Sequence, residues 1–219
     1  MRDRPAQPGE PSGPPTALPG VSWRWFDLAL GLSVLSWAGL GLWHADPTDR
    51  LTPVRLAVAA LNGLAGVLLL LRGAPLRSGT PSQLAAAVPA FIAGGAAVTL
   101  APPPHDWRPL PAVVFVAGAA LVALSLGWLG RNFAILPARR ALVTGGPYRL
   151  IRHPAYAGEL AMVLACALAG HDWWTAALAM VAVPAVAVRI QVEERVMAGD
   201  PAHAVYAERV RWRLVPGLW

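Results

Sequence analysis

Two polar clusters in an otherwise apolar chain hold the residues able to do chemistry. The first is Gly146-Pro147-Tyr148-Arg149-Leu150-Ile151-Arg152-His153-Pro154-Ala155-Tyr156-Ala157-Gly158. Gly145 and Gly146 permit backbone conformations closed to other residues, including close approach to a ligand. Pro147 and Pro154 stiffen the two ends. Tyr148 and Tyr156 offer flat faces and hydroxyls, while Arg149 and Arg152 present rigid donor forks suited to carboxylate or phosphate. His153 falls at the N-cap of a helix that starts with Pro154, where unsatisfied backbone N–H groups favour an anion. A basic interfacial loop binding lipid headgroups has the same composition, so the loop alone does not decide between a site and a lipid contact.

The second cluster is Arg189, Glu193 and Glu194. Arg189 and Glu193 are four apart on a helix, so they share a face and can pair. Glu194 points about 100° away, onto a neighbouring face. Three charges at the end of an apolar helix are costly against lipid and should face a cavity or one another. A helix leaving the bilayer into water would carry them without consequence; the spacing favours a site.

The elements that must position these residues are membrane helices. Of 219 residues, 56% are hydrophobic and 14% charged, and mean hydropathy is +0.48. A soluble fold cannot hide that much apolar surface, whereas a bilayer accepts it. Trp23, Trp25 and Phe26 form an interfacial aromatic anchor. Apolar runs predict spans over 27–43, 54–71, 82–100 and 111–130, then a hairpin of 154–170 and 173–190, with the last helix continuing to Met197. The predicted fold is all-α and integral to the membrane, with about six membrane helices. Its three parts are a disordered Pro-rich tail over 1–20, four membrane helices over 21–130, and a core over 131–219. The fifth helix is the weak crossing, because its uncharged part, 160–170, is short.

Charge sets the orientation. The net charge is +6, and all 18 basic residues counted as Lys or Arg are Arg. They concentrate in the 72–81 loop, the 131–153 loop and the C-terminal tail, and six crossings put those three on one side. The positive-inside rule makes that side cytoplasmic, with both termini and both polar clusters there, in an inner or plasma membrane. Arginines that flank apolar runs point to lipid headgroups rather than nucleic acid. The single cysteine, Cys166, lies in an apolar run and reads as a packing residue. It excludes a disulfide framework, and no metal site is expected.

Read together, Gly-Pro-Tyr-x-x-x-Arg-His-Pro-x-Tyr-x-Gly at 146–158 and Arg-x-x-x-Glu-Glu at 189–194 resemble the isoprenylcysteine carboxyl methyltransferase family and its phospholipid methyltransferase relatives. Leu129-Gly130-Arg131-Asn132 and Leu142-Val143-Thr144 are also similar to bacterial members. The resemblance covers roughly 128–219. It departs at His203, where the family tail often has the first of two tyrosines, leaving Tyr206, and at Ala134, where the family has serine.

The resemblance implies S-adenosylmethionine in a pocket between the loop, helices five and six and the tail. A lipophilic small-molecule or lipidated acceptor would reach it from the membrane. Tyr148, Arg152, His153, Tyr156 and Gly158 would line the cofactor site, and Glu193 and Glu194 would hold its polar groups. Arg189, with Glu194, would be catalytic, Arg189 lying near the transferred methyl. An acceptor carboxylate is already ionised and needs only an arginine to orient it. A thiol or amine would need His153 or a glutamate as base. The expectation is therefore carboxyl methylation. Membrane sterol reductases share part of the loop and use a reduced nicotinamide dinucleotide, but Glu193 and Glu194 argue against them. A non-catalytic protein of the same fold is the third reading.

Overall fold

Proline opens five of the helices, at the position where a missing N–H matters least. They are α2 (Pro53–Leu71), α3 (Pro81–Leu100), α4 (Pro109–Leu129), α5 (Pro154–Ala169) and α7 (Pro201–Arg209). The other two, α1 (Trp23–Trp43) and α6 (Trp173–Met197), begin at tryptophan. The computed structural model describes residues 23–71, 77–78, 81–133, 138–139, 142–170 and 172–219. The expected disordered tail, Arg72, Ala134, Arg140 and His171 lie outside them.

Arg24–Trp43, Pro53–Leu71, Pro109–Asn132 and Trp173–Met197 are long and apolar enough to cross a membrane, while Val88–Leu100 and Pro154–Ala169 are shorter apolar helices. Among the described residues four helices thus meet the length and apolarity of a full span, and α3, at 20 residues, has the length of a fifth. At 16 residues, α5 is roughly 24 Å long, short of a hydrocarbon core of about 30 Å. It stops at Gly170, and Asp172 caps the next helix by accepting the Thr175 N–H at 3.3 Å. One helix was not anticipated: α7 follows Asp200, whose side chain accepts from the Ala202 N–H. The chain also forms one ladder, β1 (Arg77–Ser78) antiparallel to β2 (Ala138–Arg139).

The helices pack most extensively as the pairs α4–α5, α1–α2 and α3–α6. Small residues set the distances. A Cβ on Gly158 would stand 2.5 Å from the Gly118 carbonyl oxygen, and one on Gly118 would stand 2.7 Å from that of Gly158. The largest buried cluster is Val54, Ala93, Ala97, Phe115, Val163, Ala165, Cys166 and Ala182. Cys166 is fully buried in it. Larger apolar side chains such as Trp37, Leu40, Trp128 and Met180 are exposed, the pattern of a bundle whose outside is lipid.

The connections collect at two ends. At one end the loop after α1 meets the loop after α3: Asp49 is buried and accepts from the His105 backbone N–H at 2.8 Å. At the other end β1 joins β2, and the loop before α5 meets the tail. Both polar clusters lie at this second end.

Candidate active site

Trp128, in the last turn of α4, forms a ledge under the loop. Gly146 sits on it at φ +54°, and any Cβ there would collide with the indole. Only glycine combines that conformation with that approach. The chain then makes a 3-10 turn, Gly146–Arg149, which buries Tyr148. The Tyr148 hydroxyl donates to the Ser125 carbonyl at 3.5 Å, and its own carbonyl accepts from the Tyr206 hydroxyl of α7 at 2.8 Å. Burial raises both phenol pKa values, Tyr206 to about 12, so both hydroxyls stay protonated donors.

The next residues pair with the tail. The Arg152 N–H donates to the Trp212 carbonyl at 2.8 Å and the His153 N–H to the Arg213 carbonyl at 2.9 Å. Arg152 Nη2 donates to the Arg211 carbonyl at 3.2 Å. Glu194 is the junction. Its Oε1 lies 2.8 Å from Arg152 Nη1 and 3.3 Å from His153 Nε2, and its Oε2 accepts from Arg213 Nε at 2.8 Å. The tail then folds back. The Trp219 carbonyl accepts from the N–H groups of Arg213, Leu214 and Val215, and Leu214 and Trp219 pack on Ala90, Tyr156, Val186 and Ile190.

One turn deeper in the bundle lies a second layer. The Tyr156 hydroxyl makes a short hydrogen bond to Glu193 Oε1, and Arg189 Nε is 3.6 Å from the same oxygen. Arg189 is 4% exposed. Its guanidinium carbon lies 4.0 Å from the Phe91 ring centroid and 4.7 Å from that of Tyr156, within cation–π range. His153 stacks on Tyr156 with ring centroids 5.7 Å apart.

The structure brings together Tyr148, Arg152, His153, Tyr156, Arg189, Glu193 and Glu194 at one end of the bundle. Glu193 and Glu194 divide between two layers, as adjacent helical positions must. Gly158 is placed elsewhere, at the α4–α5 crossing. Four contributors were not singled out from sequence. Glu159 is within electrostatic reach of Arg189 and Glu193, and its spacing of three from Tyr156 was a readable signal. His203 is buried on α7, and Arg213 binds Glu194; both sit in a tail with weak periodicity. Phe91 comes from α3, where no local pattern marks it. Among the described residues no group of three or more His, Cys, Asp or Glu could hold a metal ion.

No curated protein and no solved structure matches the chain. Residues 110–200 match the family model described as phospholipid methyltransferase. The stretch runs from α4 to the end of α6, so it contains both motifs but neither Phe91 nor the tail. Over those residues the chain is similar to the phospholipid methyltransferases, the kind of family to which its two motifs pointed.

Proposed function

We propose that this membrane methyltransferase takes its methyl group from S-adenosylmethionine and gives it to a lipophilic acceptor, a carboxylate of the isoprenylcysteine kind. The carrying observation is Arg189. A guanidinium buried in an apolar helix, clasped by two rings and a carboxylate at the inner edge of a polar cluster, is the arrangement expected of an intramembrane functional charge.

The residues present fit the donor's chemistry. Glu193, whose side chain keeps 22% of its surface accessible beside Arg189, suits a cation. Arg152 Nε, buried and without a hydrogen-bond partner among the described residues, suits a carboxylate. S-adenosylmethionine, when bound, supplies an electrophilic methyl on a sulfonium. The chain's own task is then to bind, align and exclude water. Tyr156 and Glu193 fix each other through their hydrogen bond. Arg189 presents a planar fork to the acceptor carboxylate, which needs no general base. Glu194 ties loop and tail together, and Leu214 and Trp219 cover the layer beneath. The Arg-rich end, with the site, faces the cytoplasm, and the acceptor comes from the bilayer.

Thermal stabilisation of the detergent-purified protein tests the reading, because a ligand that binds only the folded state raises the midpoint. S-adenosylmethionine and S-adenosylhomocysteine are each expected to raise it, and a reduced nicotinamide dinucleotide is not. A shift with the dinucleotide alone overturns the proposal.

A further inference from the structure

The end of the bundle away from the site holds a second group of charged residues, and the mechanism uses none of it. The loop after α1 and the loop after α3 meet there on Asp49, whose side chain is 6% exposed. Asp49 Oδ1 accepts from the His105 backbone N–H at 2.8 Å and lies 3.0 Å from His105 Nδ1. Arg55 Nη2, at the start of α2, is 3.8 Å from Asp49 Oδ2. The other nitrogen of the same imidazole faces a second carboxylate, with His105 Nε2 3.4 Å from Asp106 Oδ1. Asp46 and Arg50 share the loop of Asp49: Asp46 accepts from the Thr48 N–H, and Arg50 Nη2 donates to the Trp43 carbonyl. The His105 side chain is 41% exposed, so protons reach it from water.

A histidine between two carboxylates has two states of different strength. Neutral imidazole carries a single N–H, so donation to Asp49 leaves a bare lone pair facing Asp106. Imidazolium donates from both nitrogens and serves both carboxylates through charge-assisted bonds. We infer that His105 is a pH-sensitive clasp, whose protonation tightens the tie between the loop after α1 and the loop after α3. The fold gives that tie something to hold. The α1 helix packs chiefly on α2, and α2 reaches the rest of the bundle mainly through α4; the clasp adds a link from this hairpin to the end of α3. The hydrogen bond with Asp49 raises the His105 pKa above its ordinary 6.5, desolvation opposes the rise, and the charges of Asp106, Asp49 and Asp46 add to it. With a raised folded value, the contribution is complete below about 6.5 and is lost as pH rises through the folded value. On the orientation proposed above, this end lies across the membrane from the methyl-transfer site, so the clasp reads a different compartment.

The test is amide hydrogen exchange of the detergent-purified full chain, where orientation does not enter. It compares about pH 5.5 with about pH 8.5, after correction for the intrinsic pH dependence of exchange. In the unsubstituted protein, segments 44–52 and 101–108 should exchange about threefold more slowly at the lower pH, the scale of an exposed ion pair. His105→Asn keeps the backbone donor and a side-chain amide for Asp49, and should abolish that difference. Asp106→Asn removes only the second carboxylate, at a side chain 62% exposed, and should shrink the difference. A difference that persists in His105→Asn overturns the inference. Should that variant fail to fold, Asp106→Asn decides alone, and an undiminished difference there overturns it equally.

Discussion

Arg189 is held by contacts of three kinds: an acidic partner four residues on, and the faces of a phenylalanine and a tyrosine from two other helices. Replacing it with alanine is expected to lower methyl transfer at least 100-fold, the scale seen when a positioned charge is removed from a reacting centre, while the thermal midpoint shows that the fold persists. Arg189→Lys should recover little, because a point charge does not reproduce a planar fork; radiolabelled methyl incorporation into a lipid extract measures both. His203 makes a second prediction. Burial lowers its pKa below the ordinary value near 6.5, so it is neutral in the folded state. The unfolded chain then binds more protons, and stability should fall as pH drops below about 6.5 toward the folded value. His203→Gln should flatten that part of a pH–midpoint curve; an unaltered curve excludes His203 as its source. At this scale the sequence was legible where chemistry and spacing coincide. Arg189 and Glu193 pair as their interval requires, and His153 stands at the N-cap before Pro154. Phe91 was not legible, because a phenylalanine in an apolar helix says nothing about which face it takes.

Helix ends carry the next level of control. Glu194 is where α6, the loop and the tail meet, with Arg152, His153 and Arg213 on its two oxygens. Its replacement by alanine leaves Arg152, His153 and Arg213 facing one another, and loss of one partner from such a partly buried network costs about 1–3 kcal/mol. The expected outcome is a lower midpoint together with faster proteolysis near 210–219. An unchanged midpoint and cleavage rate would instead make Glu194 a residue of the chemistry alone. Gly158 makes the converse case. Gly158→Val should destabilise the α4–α5 crossing by about 1–3 kcal/mol, as overpacking does, and lose methyl transfer only in proportion to folded protein. Helix positions were readable from proline, tryptophan and unbroken apolar runs, and the boundaries fall within a few residues of those expected. The tail was less readable. Its nine-residue α7 has little apolar periodicity, and its place is set by the Tyr206 hydroxyl and by backbone pairing with residues 152–153, neither of which leaves a local pattern.

Across the whole molecule, arginine and helix number together divide the connections into two sets; among the described residues Asp49 meets His105 in one set, and β1 pairs with β2 and residues 152–153 with the tail in the other. A reporter fused after residue 219 is expected to face the cytoplasm, and one inserted between Asp46 and Thr52 the opposite side; the reverse result would invert the bundle. The short fifth crossing was legible: the apolar run ends at Gly170 and is too short to span alone, and α5 ends at Ala169. The Gly118–Gly158 contact has a consequence for traffic. Backbones that touch leave no slot for a hydrocarbon tail, so α4 and α5 slide or tilt together as a single panel. The pocket that holds Arg189 is bounded on the other side by α3, which packs far more closely on α6 than on α5. If the acceptor is lipophilic, as proposed, the hinge side of its doorway is α3 with α6, the panel is α4 with α5, and the seam lies where Gly94 meets Glu159. A cross-link between cysteines placed at Gly94 and Glu159 should hold the doorway shut, blocking long-chain acceptors while still admitting S-adenosylmethionine from the aqueous side.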